Sequence, residues 1–198
     1  MNDLWHRFEN WLEQNIPDAI QTLNPGASLE EIEAIQNILN IKLPDDYIAS
    51  CMIHNGQNQE SPSLTGSGTL LSLGIISDSS FTTVRAEWTI LKGVYDEDWI
   101  NESEGDRLDN LVKNFWWIPK WIPITSNGGG DGSCLDLDPG ENGTQGQVIE
   151  FIHDSGSREV EAPSFRSWFE QLVNGVEEGT IVYDEEWGLV SRDDLDNL

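Results

Sequence analysis

Trp121-Ile122-Pro123-Ile124-Thr125-Ser126-Asn127-Gly128-Gly129-Gly130-Asp131-Gly132-Ser133-Cys134-Leu135-Asp136-Leu137-Asp138-Pro139 is the stretch whose reading decides the fold. A Gly-rich turn follows it, then Gln147-Val148-Ile149-Glu150-Phe151-Ile152-His153-Asp154. Three short apolar runs cut by two glycine clusters predict antiparallel strands joined by tight connections. In an extended chain Leu135 and Leu137 share one face, and Asp136 and Asp138 the other. Val148 and Ile152 likewise lie opposite Ile149 and Phe151. Gly128, Gly129 and Gly130 allow positive φ and close backbone approach. Pro139 and Gly140 stop the second strand and open a turn.

Outward from this core the patterns are mostly helical. Leu4, Phe8, Trp11 and Leu12 recur at helical spacing, with Trp5 and Ile16 beside them, and Pro17 ends that helix. Ser28-Leu29-Glu30-Glu31 is a capping box, followed by an apolar stripe of Leu29, Ile32, Ile35, Ile38 and Leu39. Pro44 fits the first turn of a helix that buries Tyr47, Ile48 and Cys51, and Asn55-Gly56 ends it. Residues 57 to 68 read as a loop, and Thr69 to Ile76 as a strand. Phe81 to Tyr95 turns helical again. Phe115, Trp116 and Trp117 cannot all face one core if the chain is extended. Arg158 to Ala162 reads as a strand. Pro163-Ser164 then opens a helix with Phe165, Trp168, Phe169, Leu172 and Val173 on one face, ending at Asn174-Gly175. Thr180 to Tyr183 suits one more strand. The predicted fold is α+β: a mainly antiparallel sheet of five or six strands, with N-terminal helices, a middle helical insertion and a C-terminal helix. One domain over 1–198 is expected, with 1–27 as N-terminal helix and linker and 177–198 as an acidic tail.

The core stretch resembles the SUKH superfamily, which holds fungal cell-wall-assembly regulators and many bacterial toxin-immunity proteins. The resemblance rests on Trp121-Ile122-Pro123-Ile124, Gly128-Gly129-Gly130-Asp131, Cys134 to Pro139, Gly146-Gln147-Val148-Ile149 and His153-Asp154. Leu43-Pro44-Asp45-Asp46-Tyr47, Asn55-Gly56 and the segment from Ser164-Phe165 to Trp168 also match. Together they cover roughly residues 28 to 176, and the region from Thr82 to Phe115 carries no match. The resemblance implies the same α+β arrangement and a protein that acts by binding another protein.

Composition bounds the chemistry. The formal charge is −26, from 36 acids against 10 bases. Such a chain repels nucleic acid and anionic membrane and attracts basic partners. Cys51 and Cys134 lie far apart in apolar surroundings and read as reduced core residues. No charged n-region precedes an apolar run at the start, and no run reaches the length of a membrane span, so a cytoplasmic protein is expected.

Three constellations invite chemistry. Gly128-Gly129-Gly130-Asp131-Gly132 is followed by a strand and no Lys, so it lacks the form of a phosphate loop. Asn127, Asp131, Asp136 and Asp138 are oxygen donors, but their spacing does not meet a calcium loop. Cys134 with His153 and Asp154 suggests a nucleophile triad, yet no helix N-terminus activates the thiol, and His153 and Asp154 would point to opposite faces. His54 suits a helix-end cap. No catalytic residue, cofactor or metal is therefore expected. The expected partner is a protein, a basic toxin domain in the immunity reading. Asp96, Glu97, Asp98, Glu102 and Glu104 with Trp99, and also Asp131, are the candidate contacts, on charge clustering with an aromatic anchor. Oligomeric state is left open. Two functions follow: neutralisation of a basic, nuclease-type toxin by direct contact, or regulation and scaffolding of cell-wall assembly. Long low-complexity flanks typify the fungal regulators, and the compact length here favours the bacterial kind.

Overall fold

The computed structural model describes residues 1–58, 62–75, 83–97, 110–156 and 158–195. The elements run in the order α1 (Asn2–Asn15), a 3-10 turn (Pro17–Thr22), α2 (Leu29–Leu39), α3 (Asp45–Cys51), β1 (Thr69–Leu70) and α4 (Val84–Asp96). Then come β2 (Trp121–Pro123), β3 (Thr125–Ser126), β4 (Gly132–Asp136), β5 (Gln147–Phe151), β6 (Val160–Ala162), α5 (Phe165–Glu178), β7 (Ile181–Asp184), β8 (Gly188–Ser191) and α6 (Arg192–Leu195). The α+β class read from the sequence is the one observed.

The main sheet has four antiparallel strands in the order β2-β4-β5-β6. Its register sets Ile122 against Leu135 and Leu135 against Val148. β1 pairs with β3, and β7 with β8, as two small separate sheets. Between β5 and β6 the pairing shifts, because Val148 faces Ala162 while Ile149 faces Val160. Glu161 is thus the extra residue of a β-bulge.

One face of the sheet carries the larger core. Ile122, Leu135, Val148 and Ala162 pack there with Leu4, Trp5, Phe8 and Leu12 of α1, Ile32 and Ile35 of α2, and Phe165, Phe169 and Val173 of α5. Aromatic rings knit α1 to α5: Trp5 and Phe169 lie 4.5 Å apart between centroids, Phe8 and Phe169 5.6 Å. The opposite face carries a second cluster of Trp121, Cys134, Ile149 and Phe151, covered by Leu91, Val112, Trp117 and Ile118.

The local signals hold in most places. Ser28 Oγ accepts from Glu31 N while the Glu31 carboxylate accepts from Ser28 N, a complete capping box. Ser164 caps α5 by accepting from Ser167 N. Of the three adjacent aromatics, Trp117 is fully buried, Trp116 is half-buried against Phe151, and Phe115 is exposed; the chain bends here, with Phe115 N donating to Lys113 O, so Phe115 and Trp117 do not share a face as they would in a strand.

Other expectations need correction. The α2 stripe is narrower than predicted: Ile32, Ile35 and Leu39 are buried, but Leu29 and Ile38 are 60% and 48% exposed. Residues 29 and 38 sit roughly half a turn apart on a helix, so one contact face cannot take both. The first β1 pairing is only two residues long, and Ile76 lies outside the described residues. α3 ends at Cys51, four residues before Asn55. α5 does not stop at Asn174-Gly175; it runs to Glu178, with Gly179 in the left-handed conformation. Gly175 is there for packing, since a Cβ on it would come within 2.6 Å of Ile181 Cδ1. The strand expected over Thr180 to Tyr183 is present as β7, and it pairs with β8 to form a hairpin within the acidic stretch.

Candidate functional site

The glycine connection between β3 and β4 is held from within. Asn127 Oδ1 accepts from Gly129 N and Asp131 N. Asp131 accepts from Asn127 Nδ2 at 3.0 Å, from His153 N at 2.9 Å, and lies 2.8 Å from His153 Nδ1. The hydrogen bonds from His153 and Asn127 outweigh partial burial and lower the Asp131 carboxyl below its usual range, although burial is the largest single influence. The same hydrogen bond raises the His153 imidazole.

Asp136 points into the second cluster and is fully buried. Trp121 Nε1 donates to its Oδ1 at 3.1 Å, Asp138 N donates to Oδ1 at 3.0 Å, and Gln147 Nε2 to Oδ2 at 2.9 Å. Burial pushes its carboxyl upward, against those three donors. The four oxygen-bearing residues read as a possible cation set are therefore split: Asn127 and Asp131 bond each other, and Asp136 is internal. Among the described residues no cluster of His, Cys, Asp and Glu has metal-holding geometry.

The triad is also dismantled. Cys134 is buried and its thiol is pushed well up by desolvation, while burial puts Cys51 at about 12. His153 is engaged with Asp131 across the loop, not with Cys134. His54 lies 2.9 Å from Asn24 O and 2.8 Å from Glu9 Oε1, so it ties α1 to the segment after the 3-10 turn.

A groove of about 580 Å³ lies beside the end of β5. Three segments form its walls: the turn 62–69, the glycine connection 126–132, and the hairpin tip 185–190. Glu150, Phe151 and Ile152 at the end of β5 complete it. Each wall is fixed. Leu189 N donates to Ser63 O at 2.9 Å, and a Cβ on Gly188, whose φ is +77°, would meet that same oxygen at 2.4 Å. Asp184 Oδ1 accepts from Glu186 N and Trp187 N, which shapes the tip. Gly68 and Ser126 are drawn together by the β1–β3 pairing. Trp187 projects from the tip 53% exposed, with Glu185 and Glu186 beside it. Among the described residues the groove is lined by Asp131, Glu150, Glu185 and Glu186 and by no Lys, Arg or His.

Behind the groove, Glu161 Oε1 accepts from Ser67 Oγ at 3.3 Å. Burial, and then the nearby Glu150 charge, raise the Glu161 carboxyl.

Of the contacts predicted from charge clustering, Asp131 lies at the groove. Asp96 and Glu97 lie elsewhere, at the exposed end of α4, where Asp96 pairs with Lys92. Asp98, Trp99, Glu102 and Glu104 fall outside the described residues. The sequence reading missed Glu150, Glu185, Glu186 and Trp187. A signal existed for the last three: Val182-Tyr183 and Leu189-Val190 flank Asp184-Glu185-Glu186-Trp187-Gly188, a hairpin pattern with Gly at the turn exit.

Comparison with known proteins bears on what such a domain does. The profile of the SMI1 / KNR4 family (SUKH-1) matches residues 26–171. The "Cell wall biosynthesis/cell cycle regulator smi1" of Schizosaccharomyces pombe is 28% identical over 193 residues, covering 94% of this chain and 38% of the relative. The "Glucan synthesis regulatory protein" of Neurospora crassa is 24% identical, over 92% of this chain and 39% of its own length. The "Cell wall assembly regulator SMI1" of Saccharomyces cerevisiae is 23% identical, over 96% and 42%. The chain thus spans about two fifths of the length of these relatives. No helix among the described residues is long and apolar enough to cross a membrane. With a family profile matched from before α2 into α5, and so across the whole main sheet, the chain belongs to the SMI1/KNR4 (SUKH-1) family.

Proposed function

We propose that this chain is a regulatory binding protein of the cell-wall-assembly kind, acting in the cytoplasm through protein contacts and without catalysis of its own. The observation that carries the reading is similarity along more than nine tenths of the chain to proteins named as regulators of wall or glucan synthesis. The spent chemistry of the central strands supports it. Cys134 is sealed in a core with its thiol pushed up, and His153 is occupied by Asp131. The groove walled by three pinned segments is the natural contact site.

This regulatory reading displaces toxin neutralisation as the leading one. The neutralisation reading keeps a single support, the −26 charge, which suits a basic partner. The test is expression in a fission-yeast strain lacking its smi1 relative, scored for growth under wall stress, with capture of bound proteins. Restored growth and recovery of wall-synthesis or signalling proteins are expected. A folded chain that restores nothing and instead retains a toxin domain would return the assignment to immunity.

A further inference from the structure

We infer that the groove between residues 62–69, 126–132 and 185–190 holds an extended peptide segment bearing Arg or Lys, with Trp187 as its aromatic anchor. The inference rests on the regulatory-binding reading and supplies the chemistry of the partner. Three observations carry it. The volume of about 580 Å³ falls among ordinary ligand sites, which suits a short segment of a partner and not a whole domain. Its lining pairs partly exposed apolar surface from Pro62, Ile152 and Val190 with the carboxylates of Glu150, Glu185 and Glu186. Its rim carries a half-exposed indole on a hairpin tip that Asp184 and Ser63 hold in place before any partner arrives.

A guanidinium or ammonium group over the Trp187 face gains a cation–π contact, which strengthens as the site is desolvated. Charge complementarity then selects the sign of the segment. Asp131 contributes least, because its carboxylate is already engaged by Asn127 and His153. An acidic segment would meet Glu150, Glu185 and Glu186 and no basic lining residue among those described. A fixed tip lowers the ordering cost of binding, the advantage of preorganisation.

Fluorescence anisotropy on the full chain tests this with a labelled, capped hexapeptide alternating arginine and valine, and with its counterpart alternating glutamate and valine. The arginine peptide binds, weakens as salt rises, and the glutamate peptide does not bind. Trp187→Ala lowers affinity about tenfold, as loss of one desolvated cation–π contact implies, while Trp187→Phe retains most of it. Glu150→Gln with Glu186→Gln weakens binding to a similar degree. Asp18→Asn with Glu33→Gln, on the exposed surface away from the groove, changes it little. Equal losses from the groove and remote pairs would reduce the effect to bulk charge and overturn the inference. So would an unaffected Trp187→Ala protein, or full competition by free spermidine at the peptide's concentration. A groove silent to the peptide in a chain that still captures its regulatory partner would overturn the occupant and leave the regulatory reading intact.

Discussion

The two faces of the β2-β4-β5-β6 sheet are closed by different physics. The larger face is sealed by regular helices whose backbones satisfy their own hydrogen bonds. It is therefore held mainly by apolar area and aromatic packing from Trp5, Phe8, Phe165 and Phe169, with few buried polar contacts such as Trp5 Nε1 to Ser50 Oγ. The smaller face is sealed by α4, through Trp88, Leu91 and Tyr95, and by residues 110–120, which have no helix or strand. Their carbonyls need donors from side chains. Arg158, itself buried, donates from Nη2 to Trp116 O at 2.7 Å and from Nη1 to Ile152 O at 3.0 Å, and lies 4.4 Å from the Phe151 ring. Gln147 donates to Leu111 O at 2.9 Å as well as to Asp136. Irregular chain can close a core, but only where polar side chains are buried with it.

That contrast can be broken experimentally, beginning on the helical face. Phe169→Ala removes a fully buried ring shared by α1 and α5, and should cost about 3–5 kcal/mol in urea unfolding. On the opposite face Arg158→Met keeps much of the volume but strips donors from buried carbonyls. A loss of about 2–4 kcal/mol is expected, with Trp116 fluorescence shifting as its segment loosens. If the methionine variant were as stable as the native chain, the smaller face would be held by apolar area after all.

Asp136→Asn should cost less, about 1–2 kcal/mol near neutral pH, because the new amide faces the Gln147 donor. Its pH signature is more telling. The folded pKa of Asp136 is raised, so the stability linked to its protonated form is complete below the unfolded value near ~4 and is lost as pH rises through the folded value. The asparagine variant should lack that decline when unfolding is followed from pH 3 to 7.

The smallest effect belongs to Asp131 and His153, at the rim of the smaller face, where Trp116 Nε1 donates to His153 O. His153 is raised, so its contribution is complete below the unfolded value near ~6.5 and fades as pH rises through the folded one. Asp131 is lowered, so its contribution is complete above the unfolded value near ~4 and fades as pH falls through the folded one. The pair is therefore at full strength between these two unfolded values. An NMR titration should place the His153 midpoint above that of a free histidine, and Asp131→Asn should bring it down. An unmoved midpoint would mean that the glycine connection is held by its backbone bonds alone.

Much of this was legible in the chain because it follows from short-range pattern. The capping box at Ser28, the aromatic face of α5, the alternation in β4 and β5, and the burial of Cys134 each depend on residues within a few positions of one another. The family too was readable from the central stretch. The inward turn of Asp136 was not, since alternation says which residues share a face and not that both faces are covered. The strand at Thr180 to Tyr183 was read, but its return through Leu189 and Val190 was missed, because charge count masked the hairpin.

Sequence by itself determined the α+β class, the strand periodicity and the family, because local propensity and hydrophobic period are properties of neighbouring residues. Only the tertiary structure decided where the candidate site lies. Ser63, Glu150 and Trp187 belong to three separated segments, and their convergence on one groove depends on long-range contacts such as Leu189 N to Ser63 O. No local pattern encodes such contacts, because they form only when distant elements pack.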